Sequence, residues 1–417
     1  MIKKVKGWNP YITVLENENR VIIANRWNGQ WMKISKECFD IILEILKKDA
    51  KEIAWEDIFA DDDDMEYIRK VFNNLIDMDI LKKEEDYFIE SVYISLTHKC
   101  NLRCIHCSVN AGIEESDILD TDEIKNVIHK LENSKVKTII FTGGEPLVRN
   151  DIFDILKYAR RSFSGKIVLM TNGTLINKDN VKELTTNLNA IDISIDGVDE
   201  STCSIIRGSG VFDKVMQAVE LLHNNSFFNI ALSMVSSIEN NKNLETFYAL
   251  NKKLETKAVV RVFCERGRGK LSKDKFVEVL PNDNVQPSIT DKEYEEMKKE
   301  LYDQILACSC GAGHKQLHIN HDGKIYPCSL LVDESKYLLG DIRKIIDINQ
   351  LELKNSRGMK NVCKIQPESY ENCKNCNVNV FCWNCLEQID RIGGTIEFRE
   401  RCKSIKSYLE DVVWGSD

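Results

Sequence analysis

The sequence predicts an α/β protein built on a partial barrel of six strand–helix units, with a small α/β module before it and a cysteine-rich region after it. Three observations predict this. Between residues 91 and 265, short β-rich runs alternate with amphipathic helical runs, which implies parallel strands joined by helical crossovers. Ahead of them, residues 1–90 hold three β-rich runs followed by two helical ones. Behind them, cysteines crowd at spacings that suit metal binding in a reducing compartment.

The N-terminal module has strand candidates at Tyr11–Leu15, Arg20–Asn25 and Gln30–Ile34. Helical spacing follows over Phe39–Leu46 and Met65–Ile76, where Ile68, Val71, Phe72 and Leu75 share one face. The acidic run Asp61–Asp64 suits a helix start, since anions favour the N-terminal end of the dipole. A strand-like end, Ile80–Ile89, closes the module. The barrel strands are expected at Val92–Leu96, Thr138–Phe141, Ile167–Met170, Ile191–Ile195, Ile230–Val235 and Val259–Phe263. The runs Ile124–Leu131 and Phe212–Leu222 carry helical apolar stripes between them. In such a fold the active groups gather at the C-terminal ends of the strands. Residues 266–305 are polar and charged and are expected to bridge, with one helix near Lys292–Leu306. Residues 306–417 form a last domain with little periodicity around Gly311–Gly323, so metal is expected to hold it together.

The 417 residues carry a net charge of −9 and 43% hydrophobic side chains. That is enough for real cores and argues against a nucleic-acid partner, which needs clustered cations. No stretch reaches the roughly 20 apolar residues of a membrane span. The N-terminus lacks the apolar core of a signal peptide, so a cytoplasmic location is expected. Cysteine is the outlier at 15 residues, all but Cys38 from Cys100 onward.

Cys100, Cys104 and Cys107 form C-x3-C-x2-C directly after the first barrel strand. Three thiolates on one short loop can hold three irons of a 4Fe–4S cube and leave the fourth free. Zinc would want a fourth ligand, and none is evident. His106, inside the loop, reads as a filler beside the cluster. Further short segments follow in order at strand ends: Gly143-Gly144-Glu145-Pro146, Thr171-Asn172-Gly173, Ser194-Ile195-Asp196-Gly197 and Arg207-Gly208. Each alone is an ordinary turn or surface loop. Together, in this order, the chain resembles the radical S-adenosylmethionine (SAM) superfamily. The resemblance implies that Gly143, Gly144 and Glu145 serve the methionine amino group of SAM, with glycine allowing close backbone approach. It implies that Thr171 and Asn172 adjoin the cofactor, and that Ser194 and Asp196 lie by the ribose. Arg207 is placed to pair with the SAM carboxylate, and Arg261 and Val262 near the adenine. In such enzymes the unique iron chelates SAM, an electron cleaves its sulfonium C–S bond to leave methionine, and the 5′-deoxyadenosyl radical takes a hydrogen from substrate. The cofactor carries that chemistry and the barrel positions it. No residue stands out as a catalytic acid or base.

The later spacing, Cys310-x12-Gly323-x4-Cys328 and then Cys373-x2-Cys376-x5-Cys382-x2-Cys385 with Cys402, resembles a SPASM extension. That implies two auxiliary 4Fe–4S clusters, three clusters in all. Cys373, Cys376, Cys382 and Cys402 would hold the distal one. Cys310, Cys328 and Cys385 would hold the nearer, completed by Cys308 or Cys363 or left open for a substrate thiolate. The spacing Cys382-x2-Cys385 departs by one residue from the usual, which leaves the place of Cys385 open. Zinc on the CxxC pairs is the plain alternative. His314, His318 and His321 read as structural, and Cys38, Cys203 and Cys264 as inert thiols.

Residues 1–90 resemble a RiPP recognition element, a winged-helix-like fold that binds the leader of a ribosomal peptide by strand addition. The expected edge is the strand at Gln30–Ile34, beside the helix near Asp63–Ile76. The resemblance implies a radical SAM/SPASM oxidoreductase acting on a precursor peptide. Thioether formation from cysteine, as in sactipeptide or ranthipeptide maturation, is the expected reaction, with a flavodoxin or ferredoxin as electron donor. Carbon–carbon crosslinking or epimerisation are alternatives. An anaerobic sulfatase-maturing enzyme is another, but that family tends to carry an acidic residue where this chain has Ser329. A DNA-binding redox sensor would leave the SAM-type segments without a role.

Overall fold

The computed structural model describes residues 5, 7–47, 62–83, 88–112, 117–235, 240, 242–276, 305–308, 310–332, 334–345, 348, 353, 355–383 and 385–415. Most of the expected helix at Lys292–Leu306 and of the bridging region lies outside them, as do Asp61 and residues 84–87; Ile305 and Leu306 are not helical. The described residues pack into two units, one drawn from 1–87, 286–311 and 363–417, the other from 88–285 and 312–362.

In the first unit, β1 (Ile12–Asn17), β2 (Arg20–Asn25) and β3 (Trp31–Ser35) form an antiparallel sheet in the order β1-β2-β3. The apolar run Val21–Ala24 in β2 is wholly buried, as expected of a strand covered on both faces. Val21, Ile23 and Val14 pack under α1 (Lys36–Lys47) and α2 (Asp62–Asp77), which contribute Phe39, Ile42, Val71 and Leu75. Leu15, Ile22 and Ala24, on the other face, pack against Ala307, Val380, Phe381, Val413 and Trp414. The expected strand Ile80–Ile89 is not a strand in its described part. Asp79 takes a left-handed φ of 60°, and Ile80 N–H donates back to Leu75 O at 3.1 Å, closing the end of α2. The buried Ile80 signals this helix cap, whose apolar contact a strand pattern mimics.

The second unit is a nine-stranded sheet. Six parallel strands follow the predicted order: β4 (Ser91–Ser95), β5 (Thr138–Thr142), β6 (Lys166–Thr171), β7 (Ala190–Ser194), β8 (Ile230–Val235) and β9 (Lys257–Arg261). Between them run α3 (Thr121–Glu132), α4 (Ile152–Ser162), α5 (Val181–Asn187), α6 (Glu200–Arg207), α7 (Val211–Asn224) and α8 (Leu244–Lys253). α3 starts at a reciprocal cap between Asp120 and Glu123 and buries Ile124, Val127, Ile128 and Leu131. Along β7, Ile191 and Ile193 are buried on one face, while Asp192 and Ser194 occupy the other.

Beyond β4 the sheet continues through β10 (Gln316–Ile319), parallel to β4, and then antiparallel β11 (Lys324–Tyr326) and β12 (Gly340–Asp341). The stretch Gly311–Gly323, read as irregular and held by metal, therefore contains a core strand: Leu317 is 1% exposed and Ile319 0%. Its apolar alternation, Leu-His-Ile, is too short to stand out, and its buried His318 breaks the pattern. Further helices are α9 (Arg357–Val362), α10 (Asn379–Cys382), α11 (Leu386–Ile392) and α12 (Ile396–Trp414), the last three in the first unit. Among the described residues no helix is long and apolar enough to cross a membrane.

Candidate active site and auxiliary cysteine sites

The loop after β4 carries Cys100, Cys104 and Cys107. It is held from three sides. Its own return is fixed by Cys100 N–H to Gly112 O, 3.1 Å. From α6, Ile105 N–H reaches Ile206 O at 3.0 Å. From the 3₁₀ segment Gly267–Lys275, Arg268 N–H donates to Cys107 O, its Nε to Cys104 O, both at 2.9 Å, and Ser272 Oγ to Ile105 O at 2.8 Å. That segment falls in the region read as a bridge. The signal that marks it is the run Arg266-Gly267-Arg268-Gly269 right after the last strand, which lets Gly267 approach Cys107 O without a side chain.

Gly143 and Gly144 meet the same loop. A Cβ on Gly143 would lie 2.4 Å from Thr97 O, and one on Gly144 2.1 Å from Lys99 O. Gly144 N–H donates to Thr97 O and Glu145 N–H to Lys99 O, each at 2.8 Å. The close approach that these glycines allow is to the cysteine loop's backbone. Glu145 is fully buried and accepts from Thr171 Oγ1 (2.7 Å), Asn172 N–H (2.7 Å) and Leu147 N–H (3.1 Å). Burial pushes its carboxyl upward against these donors. Asn172 Nδ2 in turn donates to Asn101 Oδ1 at 2.8 Å, tying the end of β6 to the cysteine loop.

Asp196 sits beyond β7 with a φ of 54° and no exposed surface. Its Oδ2 lies 2.6 Å from Arg207 and 2.8 Å from His106 Nε2, and its Oδ1 accepts from Val235 N–H. Burial opposes its ionisation, but Arg207 and His106 outweigh that and hold it well below the carboxylate range. Arg207 also donates to Cys104 Sγ at 3.8 Å. Burial disfavours its charge, and Asp196 and Cys104 restore it and raise its pKa. His106 stacks on Phe276, which stacks on Phe263. The structure thus joins Cys100, Cys104, Cys107, Glu145, Thr171, Asn172, Asp196 and Arg207 into one network. Ser194 lies half-buried on the face of β7 shared with Asp192. Arg261 pairs with Asp192, and Val262 is 62% exposed.

Burial pushes the Cys100 thiol up to about 11 and raises that of Cys104, where Arg207 and Arg268 pull the other way. Buried thiols of this kind ionise readily only beside a metal. Three thiols on one loop, with an arginine beside the Cys104 sulfur, fit an iron–sulfur cube with one iron open to a ligand.

In the first unit, Cys373, Cys376, Cys382 and Cys402 line one pocket together with Phe398, Arg401 and Lys406. The turn at 370–376 supplies the first two, α10 the third and α12 the fourth. Asn379 Nδ2 holds Cys373 O at 2.9 Å, and Arg401 holds Cys382 O at 2.8 Å. Burial pushes Cys373 up to about 11 and Cys382 up to about 12. Four soft donors lining one pocket, with two cations nearby, fit a closed cluster. Cys385 is not in this pocket and stands within electrostatic range of Cys310. Cys308, 7% exposed, is pushed up to about 12 by burial and senses Arg26, Arg401 and Cys310. Cys363 is exposed. Cys328, in the second unit, follows β11, and its carbonyl accepts from Leu331 N–H at 3.2 Å. Among the described residues no three His, Cys, Asp or Glu side chains converge as a single ion requires.

A sequence model of the radical SAM superfamily matches residues 94–250, and one of an iron–sulfur cluster-binding domain, SPASM, matches residues 308–377. The chain is similar to the mycofactocin maturase MftC of Mycolicibacterium smegmatis, 27% identical over 274 residues, covering 59% of this chain and 66% of that one. It is also similar to AlbA of Bacillus subtilis, an antilisterial bacteriocin subtilosin biosynthesis protein, 28% identical over 260 residues and covering 56% of that protein. The chain thus spans about two thirds or less of the length of these relatives. Among solved structures, anSMEcpe with bound AdoMet aligns with a TM-score of 0.55 at 19% identity, covering 77% of this chain and 98% of that one. SuiB of Streptococcus suis bound to precursor peptide SuiA aligns at 0.56 and 13% identity, covering 91% and 97%. At these identities the likeness shows the fold.

Proposed function

Since this chain belongs to the radical SAM superfamily and carries an iron–sulfur cluster-binding SPASM domain, we propose that it modifies a ribosomally made precursor peptide by forming thioether links from cysteine. The observation that carries the reading is the presence, in one chain, of a three-cysteine loop set among Glu145, Asp196 and Arg207 and of a pocket lined by four cysteines. The maturase names of its relatives support the peptide as substrate class. When bound, the cube on Cys100, Cys104 and Cys107 with SAM would supply a hydrogen-abstracting radical. Two auxiliary clusters, with the ligand sets implied by the cysteine spacing, would accept the second electron. Around them, Arg268 and Ser272 fix the cysteine loop, Glu145 aligns the ends of β5 and β6, and the Asp196–Arg207 pair keeps a cation beside Cys104.

The rest of the proposal follows from the sequence segments. Residues 1–90 act as a winged-helix-like recognition element for the leader peptide, with β3 as the edge that takes the added strand. Residues 91–265 form the partial barrel, 266–305 the bridge and 306–417 the SPASM domain. The enzyme works in the cytoplasm with a flavodoxin or ferredoxin as donor.

The test is a mass assay. The anaerobically reconstituted enzyme receives SAM, a reductant and a cysteine-bearing peptide encoded beside its gene, and free thiols are then alkylated. Loss of two hydrogens per event, with the same number of cysteines blocked, is expected. The same loss with every thiol alkylated would mean carbon–carbon linkage and end the thioether reading.

A further inference from the structure

Arg26 is a cation in an unusual place. It directly follows β2, and its backbone N–H donates to Tyr11 O at 2.9 Å. The hairpin it opens is stitched to the segment that delivers Cys308 and Cys310: Ala307 N–H donates to Gly29 O at 2.8 Å, and Trp31 Nε1 to Ile305 O at 2.7 Å. One arm of its guanidinium donates to Gln366 Oε1 at 2.7 Å. Its Nε, by contrast, is buried and has no hydrogen-bond partner among the described residues. Glu368, Cys308 and Cys310 are the anionic or ionisable groups that stabilise its charge. A buried guanidinium N–H without an acceptor is costly and favours negative charge beside it. The Glu368 carboxylate supplies part of that charge, and the sulfurs of Cys308 and Cys310, as thiolates on an iron–sulfur cluster, would add to it.

We propose that Arg26, from the N-terminal sheet, is the residue that sets the reduction potential of the auxiliary cluster to which Cys310 belongs. This rests on the reading that Cys310 holds such a cluster. The direction is fixed by charge: reduction adds an electron, so a neighbouring cation and an N–H aimed at sulfur favour the reduced form and raise the potential. Arg26 would act through the cluster and not on substrate, so it is a positioning residue. Its effect makes the electron-accepting site depend on a sheet that is otherwise far from the cysteines in sequence.

The test is a potentiometric titration, followed by electron paramagnetic resonance, of the full-length reconstituted protein and its Arg26→Gln and Arg26→Lys variants, each with iron counted first. Arg26→Gln is expected to shift the reduction equilibrium of one auxiliary cluster toward the oxidised form by about tenfold, or about 59 mV for one electron. The other clusters should not move. Arg26→Lys, which keeps the charge and loses the fork, should shift it less. If Arg26→Gln fails to load iron, the lysine variant is read in its place. Fully loaded variants with unmoved potentials, even with a lowered melting temperature, would overturn the proposal. A native protein that binds iron for the first cluster alone would instead overturn the auxiliary-cluster reading beneath it.

Discussion

Glu145 shows how a single buried group organises the site. Three donors from two strand ends converge on its carboxylate. Glu145→Gln would turn an NH2 toward one of them, and a buried donor without an acceptor costs about 1–3 kcal/mol. The variant is expected to melt lower by that measure and to bind SAM more weakly in equilibrium dialysis; unchanged values in both would mean that the network is not shared with the cofactor. His318 gives a pH prediction. Burial pushes it down to about 4 from 6.5, with His321 adding to the effect, and it sits 3.2 Å from Ser95 Oγ. Its folded pKa lies below its unfolded one, so the unfolded chain takes up the proton first as the pH falls. The stability is full above pH 6.5 and is lost between there and about 4, by about 3 kcal/mol in all. The melting temperature of His318→Gln should therefore fall less than that of the native protein between pH 7 and 5. Parallel curves would show that His318 charges freely in the fold.

At the scale of elements, the site is an agreement between loops. Gly144 lets the turn after β5 lie against Lys99 O, 2.1 Å from where its Cβ would be. Gly144→Ala must push one loop off the other. Backbone offers no flexible end to yield, so the variant is expected to lose the iron of the first cluster and keep the rest, as read by iron counting after reconstitution. Five of the six parallel strands were legible in the sequence because each carries buried apolar residues beside a helix stripe, whereas β9 buries none and shows only its β-branched Val259 and Val260; the spacing of Cys100, Cys104 and Cys107 marked the end where the loops converge. Two things were not legible. The clamp at Gly267–Lys275 has a mean character as polar as any linker; its function lies in backbone contacts that leave no apolar pattern. β10 pairs with β4 across more than two hundred residues, and four residues give period-two alternation too little length to show. The Arg207 side chain, expected to meet a SAM carboxylate, is engaged with Asp196, a partner that only the fold brings near.

At the scale of the molecule, the N-terminal sheet and the C-terminal cysteine region share one core. Leu15, Ile22 and Ala24 lie against Val380, Phe381, Val413 and Trp414. A charge placed there has no partner, and Val413→Asp should cost about 4 kcal/mol or more. It is expected to remove the iron of the four-cysteine pocket although it alters no cysteine; a variant with full iron would mean that the pocket folds without the sheet. The same shared core has a consequence for how the chain is made. Residues 12–25 are synthesised well before residues 378–414, which supply most of the cover for one apolar face of their sheet. At the usual pace of translation that is a wait on the order of 15–60 s. During that interval an apolar strand pair lacks most of its cover, and the nascent chain is a natural client for a chaperone that shields it until α12 arrives.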